Sequence, residues 1–315
     1  MGFTQKYQNL LKHQAREEDP NEKKLLHSIE WLHKDGDLSS YKEKNTCLIY
    51  GYADDRGVAA NRGRTGASGG PQSFRQQFYN LAYSAKNDLI LADLGDLNLT
   101  ASLKEDQEKA LHFFKTNSHY FKRKLSIGGG HDWAYPDFAC IDPKESLVVN
   151  FDAHLDMRPP SKDSNNSWHS GTAFRLLAEK FNKELSLLSI GLQKHCNQEN
   201  HLKWGQEQCD LHSLFLEDFP LSIEKQWEEL HSITNKGLRD KKDIALSLCL
   251  DAFSQSECPG VSAPQAIGIS TLLVFKFIKH FKEKIKHLGI YELNPKYDQD
   301  NQSARLAAKL AHSWL

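Results

Sequence analysis

The chain has 315 residues, 26% of them charged, with a net charge of −1 and acidic and basic residues interspersed. That length supports one large α/β domain or two smaller ones. The balance leaves no basic stripe for nucleic acid and no acidic tail, and no apolar run approaches membrane-spanning length. Six cysteines stand at 47, 140, 196, 209, 249 and 258 without a C-x-x-C pair. This argues against a disulfide framework or zinc ribbon and for reduced thiols in a cytoplasmic protein. The polar N-terminus lacks a signal-peptide core, and "MGFTQK" carries Lys6 where a myristoylation site wants Ser or Thr.

Residues 1–45 are charged and read as a peripheral N-terminal arm, helical in part over "PNEKKLLHSIEWLHK". From residue 46 short apolar runs alternate with amphipathic stretches. The runs are "TCLIYGY" (46–52), "DLILADL" (88–94), "KLSIGGG" (124–130), "SLVVNFD" (146–152), "LSLLSIG" (185–191), "IALSLCLD" (244–251) and "HLGIYEL" (287–293). Near-continuous apolarity over such lengths suits strands covered on both faces. Helices are expected at roughly 101–120, 132–141, 172–183, 222–235, 270–286 and 302–314. The alternation predicts right-handed crossovers and a mostly parallel central sheet. No linker, repeat or low-complexity tract divides residues 46–315, which read as one three-layer α/β/α domain.

Sites in open parallel sheets form beyond the carboxyl ends of the strands. His131, Asp152, His154, Asp156, Asp251 and Glu292 all stand where an apolar run gives out. In "NFDAHLDMR", Asp152, His154 and Asp156 are spaced i, i+2, i+4, so an extended segment turns all three to one side. Two carboxylates and an imidazole there suit a divalent cation such as Mn2+ better than a sulfur-loving metal. In "IGGGHDWAYP" three glycines permit a sharp turn and a close approach before His131, which reads equally as a ligand or as a capping residue. In "ALSLCLDAF" Ser247, Cys249 and Asp251 share one face, and Cys249 by itself reads as a small core residue.

"GGGHD", "NFDAHLDMR", "SGTAFR", "SLCLDAFSQSECPGVSAP" and "YELNPKYDQDNQSARLAA" resemble, in order and spacing, the motifs of the ureohydrolase (arginase/agmatinase) superfamily from about residue 46 onward. "NRGRTGASGGPQSFR" resembles its N-terminal substrate-side loop. Within the superfamily the chain is most similar to the formimidoylglutamase branch. The resemblance implies an arginase-like fold and two Mn2+ per subunit. Their ligands would be His131, Asp152, His154, Asp156 and Asp251, with Cys249 at the position where the family's D-x-D motif has a bridging Asp. Three outcomes are open at such a site: two metals with an altered preference, one metal, or none. As a thiolate, Cys249 would favour Zn2+ or Fe2+ over Mn2+.

The activity implied is hydrolysis of a small-molecule linear amidine, N-formimidoyl-L-glutamate, to L-glutamate and formamide. Alternatives are a guanidino-substrate hydrolase of the agmatinase or guanidinobutyrase kind and a catalytically silent member. Asp156 would carry a proton to the leaving nitrogen, and Glu292 would pair with the cationic amidine. Ser170, where arginase-like members often have His, speaks against arginine. His169 is either a proton shuttle or part of an ordinary surface loop. Of the cations that could receive the substrate's carboxylates, Arg64 ranks first because of its loop, ahead of Arg158 and Arg175. A homo-oligomer is expected by analogy, with no nucleic-acid or membrane partner.

Overall fold

A computed structural model describes residues 3–4, 23–32, 37–83, 88–161 and 168–315. Apart from Phe3–Thr4, residues 1–22 lie outside the described residues, Lys6 of "MGFTQK" among them. The strands are β1 (Phe3–Thr4), β2 (Ile29–Trp31), β3 (Thr46–Gly51), β4 (Ile90–Leu97), β5 (Arg123–Ile127), β6 (Ser146–Phe151), β7 (Ser186–Leu192), β8 (Asp210–Phe215), β9 (Asp243–Cys249) and β10 (Ile285–Tyr291). They form one sheet in the order β1-β4-β3-β5-β10-β9-β6-β7-β8, with β2 also on β4. Every pairing is parallel except the short β1–β4 contact.

Both faces of the sheet are covered, which is why its strands read as unbroken apolar runs. In β3, Cys47 and Ile49 enter one buried cluster while Leu48 and Tyr50 enter the other. In β9, Leu246 and Leu248 point into the first cluster, and Ala245 into the second. Helices α1 (Arg56–Ala60), α2 (Gly70–Phe78), α3 (Leu103–Asn117), α4 (Ala134–Phe138), α5 (Ala173–Phe181), α6 (Glu199–Gln208), α7 (Ile223–Gly237), α8 (Thr271–Phe281) and α9 (Gln302–Trp314) provide the outer layers.

The α/β/α expectation and the seven expected strands match the observed sheet, and three local differences have physical causes. Residues 25–28 form one 3-10 turn and 29–31 a strand, where a helix is expected. Ile29 and Trp31 instead pair with Leu91 and Asp93 on the open edge of β4, and tertiary pairing overrides a weak helical pattern. β8 has one buried residue at Leu211 and exposed or half-buried neighbours, so it lacks the apolar run of its central partners. The helix expected over 270–286 stops at Phe281, because the chain must extend again for β10.

Candidate metal centre

Four neighbouring strands, β5, β10, β9 and β6, end on the same rim and deliver the site. Asp152 follows β6 directly. Cys249 closes β9, and Asp251 sits in the 3-10 turn Leu250–Ala252 just beyond it. Glu292 follows β10, and His131 follows β5 after the three glycines. Those glycines are sterically required. A Cβ on Gly128 would stand 2.3 Å from the Tyr291 ring, and one on Gly129 would stand 1.7 Å from the Asp54 carbonyl oxygen. Asp156 and Glu292 both adopt left-handed backbone, with φ of 49° and 67°. Non-glycine residues rarely do so, and such strain concentrates at functional sites.

The side chains converge as the strand ends predict. His131 Nδ1 lies 2.8 Å from Asp152 Oδ2 and 2.8 Å from Asp156 Oδ2. Its other ring nitrogen, Nε2, meets Ser247 Oγ at 2.8 Å, and its backbone N–H donates to Glu292 Oε1 at 2.7 Å. His154 turns Nδ1 toward Asp152 Oδ1 at 3.3 Å and toward Asp251 Oδ2 at 4.0 Å. Asp251 Oδ1 accepts the Ala263 N–H at 3.2 Å. One donor atom each from His131, Asp152 and Cys249 falls within a 4.8 Å circle. Asp152, Asp251, Cys249 and His131 are all buried.

This donor set fits a divalent cation. His131 Nδ1 and Asp152 Oδ2 are buried and close together, yet neither makes a hydrogen bond of acceptable geometry, and Glu292 Oε2 also has no partner. Buried polar atoms seldom stay unpaired without a reason. The electrostatics agree. Burial alone would pull the His131 imidazole down, but the Asp152 and Asp156 carboxylates beside it push it up to about 10. Burial and the Asp152, Asp251 and Glu292 carboxylates hold the Cys249 thiol well above its ordinary range. Burial, then Glu292, raises Asp251, while Glu292 is pushed up to about 7 by burial against the opposing pull of Ser262 and His131. Packed acids of this kind are relieved by positive charge at their centre.

A cavity of about 420 Å3 opens from this cluster. Its lining joins buried His131, Cys249, Asp251 and Glu292 to half-buried Asp156, Arg64 and His201 and to the outermost Arg62, Arg158 and His195. Arg62, Arg158 and His195 are exposed. The cavity is thus acidic within and cationic at the entrance. Burial, then the Arg158 and Arg175 charges, lowers the His201 imidazole.

Among the expected substrate contacts, Ser170 lines the cavity, with its Oγ accepting from Asn61 Nδ2 at 2.9 Å. Arg64 lines it too, but its Nη2 donates to the Val261 carbonyl at 2.6 Å and its guanidinium stacks on Tyr297 at 4.0 Å. Arg175 stands apart from the cavity, paired with Glu179 and stacked on Trp204. His169 is neither surface loop nor cavity wall. It is buried, and its Nδ1 accepts the Gly171 N–H at 3.2 Å as a turn cap. Arg62, His195, Cys196, Asn197, Gln198 and His201 were not anticipated from sequence. All but Arg62 lie in "QKHCNQENH", the polar segment directly after β7, where the strand-end rule also applies.

A model of the arginase family matches residues 45–315. The chain belongs to the arginase family. The formimidoylglutamase of Macrococcus caseolyticus is 35% identical over 270 residues, covering 83% of this chain and 82% of the relative. That of Legionella pneumophila strain Paris is 31% identical over 307 residues, covering 94% and 92%. A crystal structure of Trypanosoma cruzi formiminoglutamase with Mn2+ superposes with a TM-score of 0.73 at 25% identity, over 89% of this chain and 97% of that one. The formimidoylglutamase of Bacillus subtilis subsp. subtilis str. 168 shares the fold, with a TM-score of 0.80 at 18% identity over 96% and 93%. The family match spans the strand ends on which these donors gather. Among the described residues no helix is long and apolar enough to cross a membrane.

Proposed function

We propose that this arginase-family chain hydrolyses N-formimidoyl-L-glutamate to L-glutamate and formamide. The observation that carries the reading is the polarity of the cavity: acidic at the cation-binding end, with arginine and histidine at the mouth. The substrate has the matching polarity, a cationic amidine at one end and two carboxylates at the other. Agmatine, with a cation at each end, would set its second charge against Arg62 and Arg158. The names of the relatives point the same way.

His131, Asp152, His154, Asp156, Cys249 and Asp251 are the residues that would hold the cations, two Mn2+ as in the T. cruzi structure. When bound, such cations make hydroxide available near neutral pH for attack on the amidine carbon. The chain's own residues do the rest. Glu292 has Oε1 committed to the His131 N–H, so its other oxygen, Oε2, is the acceptor for the amidinium. An amidinium beside it returns Glu292 to the carboxylate form. Asp156 passes a proton to the departing nitrogen, which leaves as the amine of glutamate while formamide takes the carbon. Arg158 and Arg62 draw the carboxylates to the mouth and fix the reacting end inside. The arrangement operates in a cytoplasmic homo-oligomer.

The test compares glutamate and formamide release from formimidoylglutamate with urea release from agmatine, arginine and guanidinobutyrate, in Mn2+-loaded protein. Turnover confined to a guanidino substrate, or none with any of the four, would overturn the proposal.

A further inference from the structure

Behind the metal centre lies a hydrogen-bonded cluster that the chemistry above does not use. Asp137, wholly buried in α4, accepts three phenolic O–H groups. Tyr50 and Tyr52 donate to Oδ1 at 2.9 and 2.6 Å, and Tyr291 donates to Oδ2 at 2.6 Å. A carboxylate holding three phenols out of water is a rigid anchor, with Oδ1 shared by Tyr50 and Tyr52 and Oδ2 taken by Tyr291.

The three tyrosines face different neighbours. Tyr50 stacks on Phe114 at 4.2 Å, and Tyr52 stacks on Trp133 at 4.2 Å. Tyr291 stacks on the imidazole of His131, with ring centroids 5.0 Å apart and planes at 28°. Two glycines make room for that ring. A Cβ on Gly128 would meet its Cδ1 at 2.3 Å, and one on Gly289 would meet its hydroxyl at 2.1 Å. Tyr291 also immediately precedes Glu292, whose left-handed backbone and Oε1 hold the His131 N–H. One end of the tyrosine is therefore tied to Asp137, its sides are confined by glycines, and its face supports a candidate ligand.

We propose that Asp137, acting through Tyr291, is a positioning residue for the metal centre: it fixes the aromatic surface on which His131 is seated and the backbone from which Glu292 projects. The inference rests on His131 being a metal ligand and is independent of which amidine is the substrate. Outer contacts that orient a ligating histidine typically change metal affinity by about 10–100-fold when lost.

The test titrates Mn2+ into the chelator-treated full-length protein by calorimetry, without substrate. Tyr291→Phe keeps the ring and removes the tie, while Asp137→Asn alters the anchor. Tyr52→Phe removes a comparable bond from the same carboxylate but touches no candidate ligand. The expected result is Mn2+ affinity lowered by about 10–100-fold in Tyr291→Phe, a similar loss in Asp137→Asn, and wild-type affinity in Tyr52→Phe. Melting temperatures of the metal-free proteins should fall alike for the two tyrosine variants, which separates positioning from general loosening. Wild-type affinity in Tyr291→Phe, or an equal loss in Tyr52→Phe, overturns the proposal. Should Asp137→Asn fail to fold, the two tyrosine variants decide it. Uptake of Mn2+ unchanged by His131→Asn would remove the metal reading and this inference together, leaving the substrate comparison to be judged separately.

Discussion

The guanidinium of Arg64 lies 4.0 Å from the ring centroid of Tyr297, while its Nη2 donates to the Val261 carbonyl at 2.6 Å. These contacts fasten the loop before α2 to the segments after β9 and β10 and leave Arg64 little freedom to meet a substrate. Arg158 differs. Its Nη1 donates to Asn61 Oδ1 at 3.0 Å, and its side chain is exposed at the cavity mouth. Replacing Arg158 with Met should raise KM by ~10–100-fold, the equivalent of one charged hydrogen-bonded contact, with a smaller change in kcat. Replacing Arg64 with Met should instead lower the melting temperature. Steady-state kinetics and thermal melts of the two variants check the assignment, and a KM effect at Arg64 alone would reverse it.

Cys249 places sulfur beside His131 and Asp152. Thiolate coordination of Co2+ gives an intense near-ultraviolet absorption, so Co2+-loaded protein should show it and Cys249→Ser should not. Cys249→Asp should raise the Mn2+ content measured by elemental analysis, since a carboxylate suits that cation better. Unchanged Mn2+ content together with an unchanged Co2+ spectrum would place the thiol outside the cluster.

Chelation should destabilise the fold. Asp152, Asp156, Asp251 and Glu292 crowd one end of the cavity. A cation present at 100 times its Kd would add about 2.7 kcal/mol. Differential scanning calorimetry with and without a chelator should show a lower melting temperature in its presence. Identical traces would mean that nothing of consequence binds there.

His287 supplies a pH prediction away from the metal centre. It is buried, with Nε2 3.1 Å from both the Tyr50 and the Ser126 hydroxyl oxygens. Burial first, and Lys124 second, hold its imidazole well below the ordinary range, so it is neutral in the fold. Below about pH 6.5 the unfolded chain binds a proton that the native His287 refuses. Its contribution is therefore complete above that pH and is lost as the pH falls, by up to ~1.4 kcal/mol per unit. Urea midpoints of the metal-free protein between pH 6.5 and 5 should fall less steeply in His287→Gln than in wild type. Parallel slopes would show that the residue does not titrate in that window.

The parallel α/β/α architecture was legible because both faces of the central strands are buried and leave unbroken apolar runs, as in "SLVVNF" and "IALSLC". The polar residues at the ends of those runs, His131, Asp152, Asp251 and Glu292, were legible for the same reason: an acid or imidazole where an apolar strand stops has a rim to occupy. Edge elements were not legible. β2 and β8 owe their extended form to partners distant in sequence, and their own side chains only half demand it. The roles of the arginines were not legible either, since Arg64, Arg158 and Arg175 carry the same charge and only packing against Tyr297, Asn61 and Trp204 separates them. Local pattern determines which segments must be buried and where their polar ends lie. Which cations remain free, and which tyrosine supports His131, depends on contacts between residues far apart in the chain, and these exist only once the sheet is assembled.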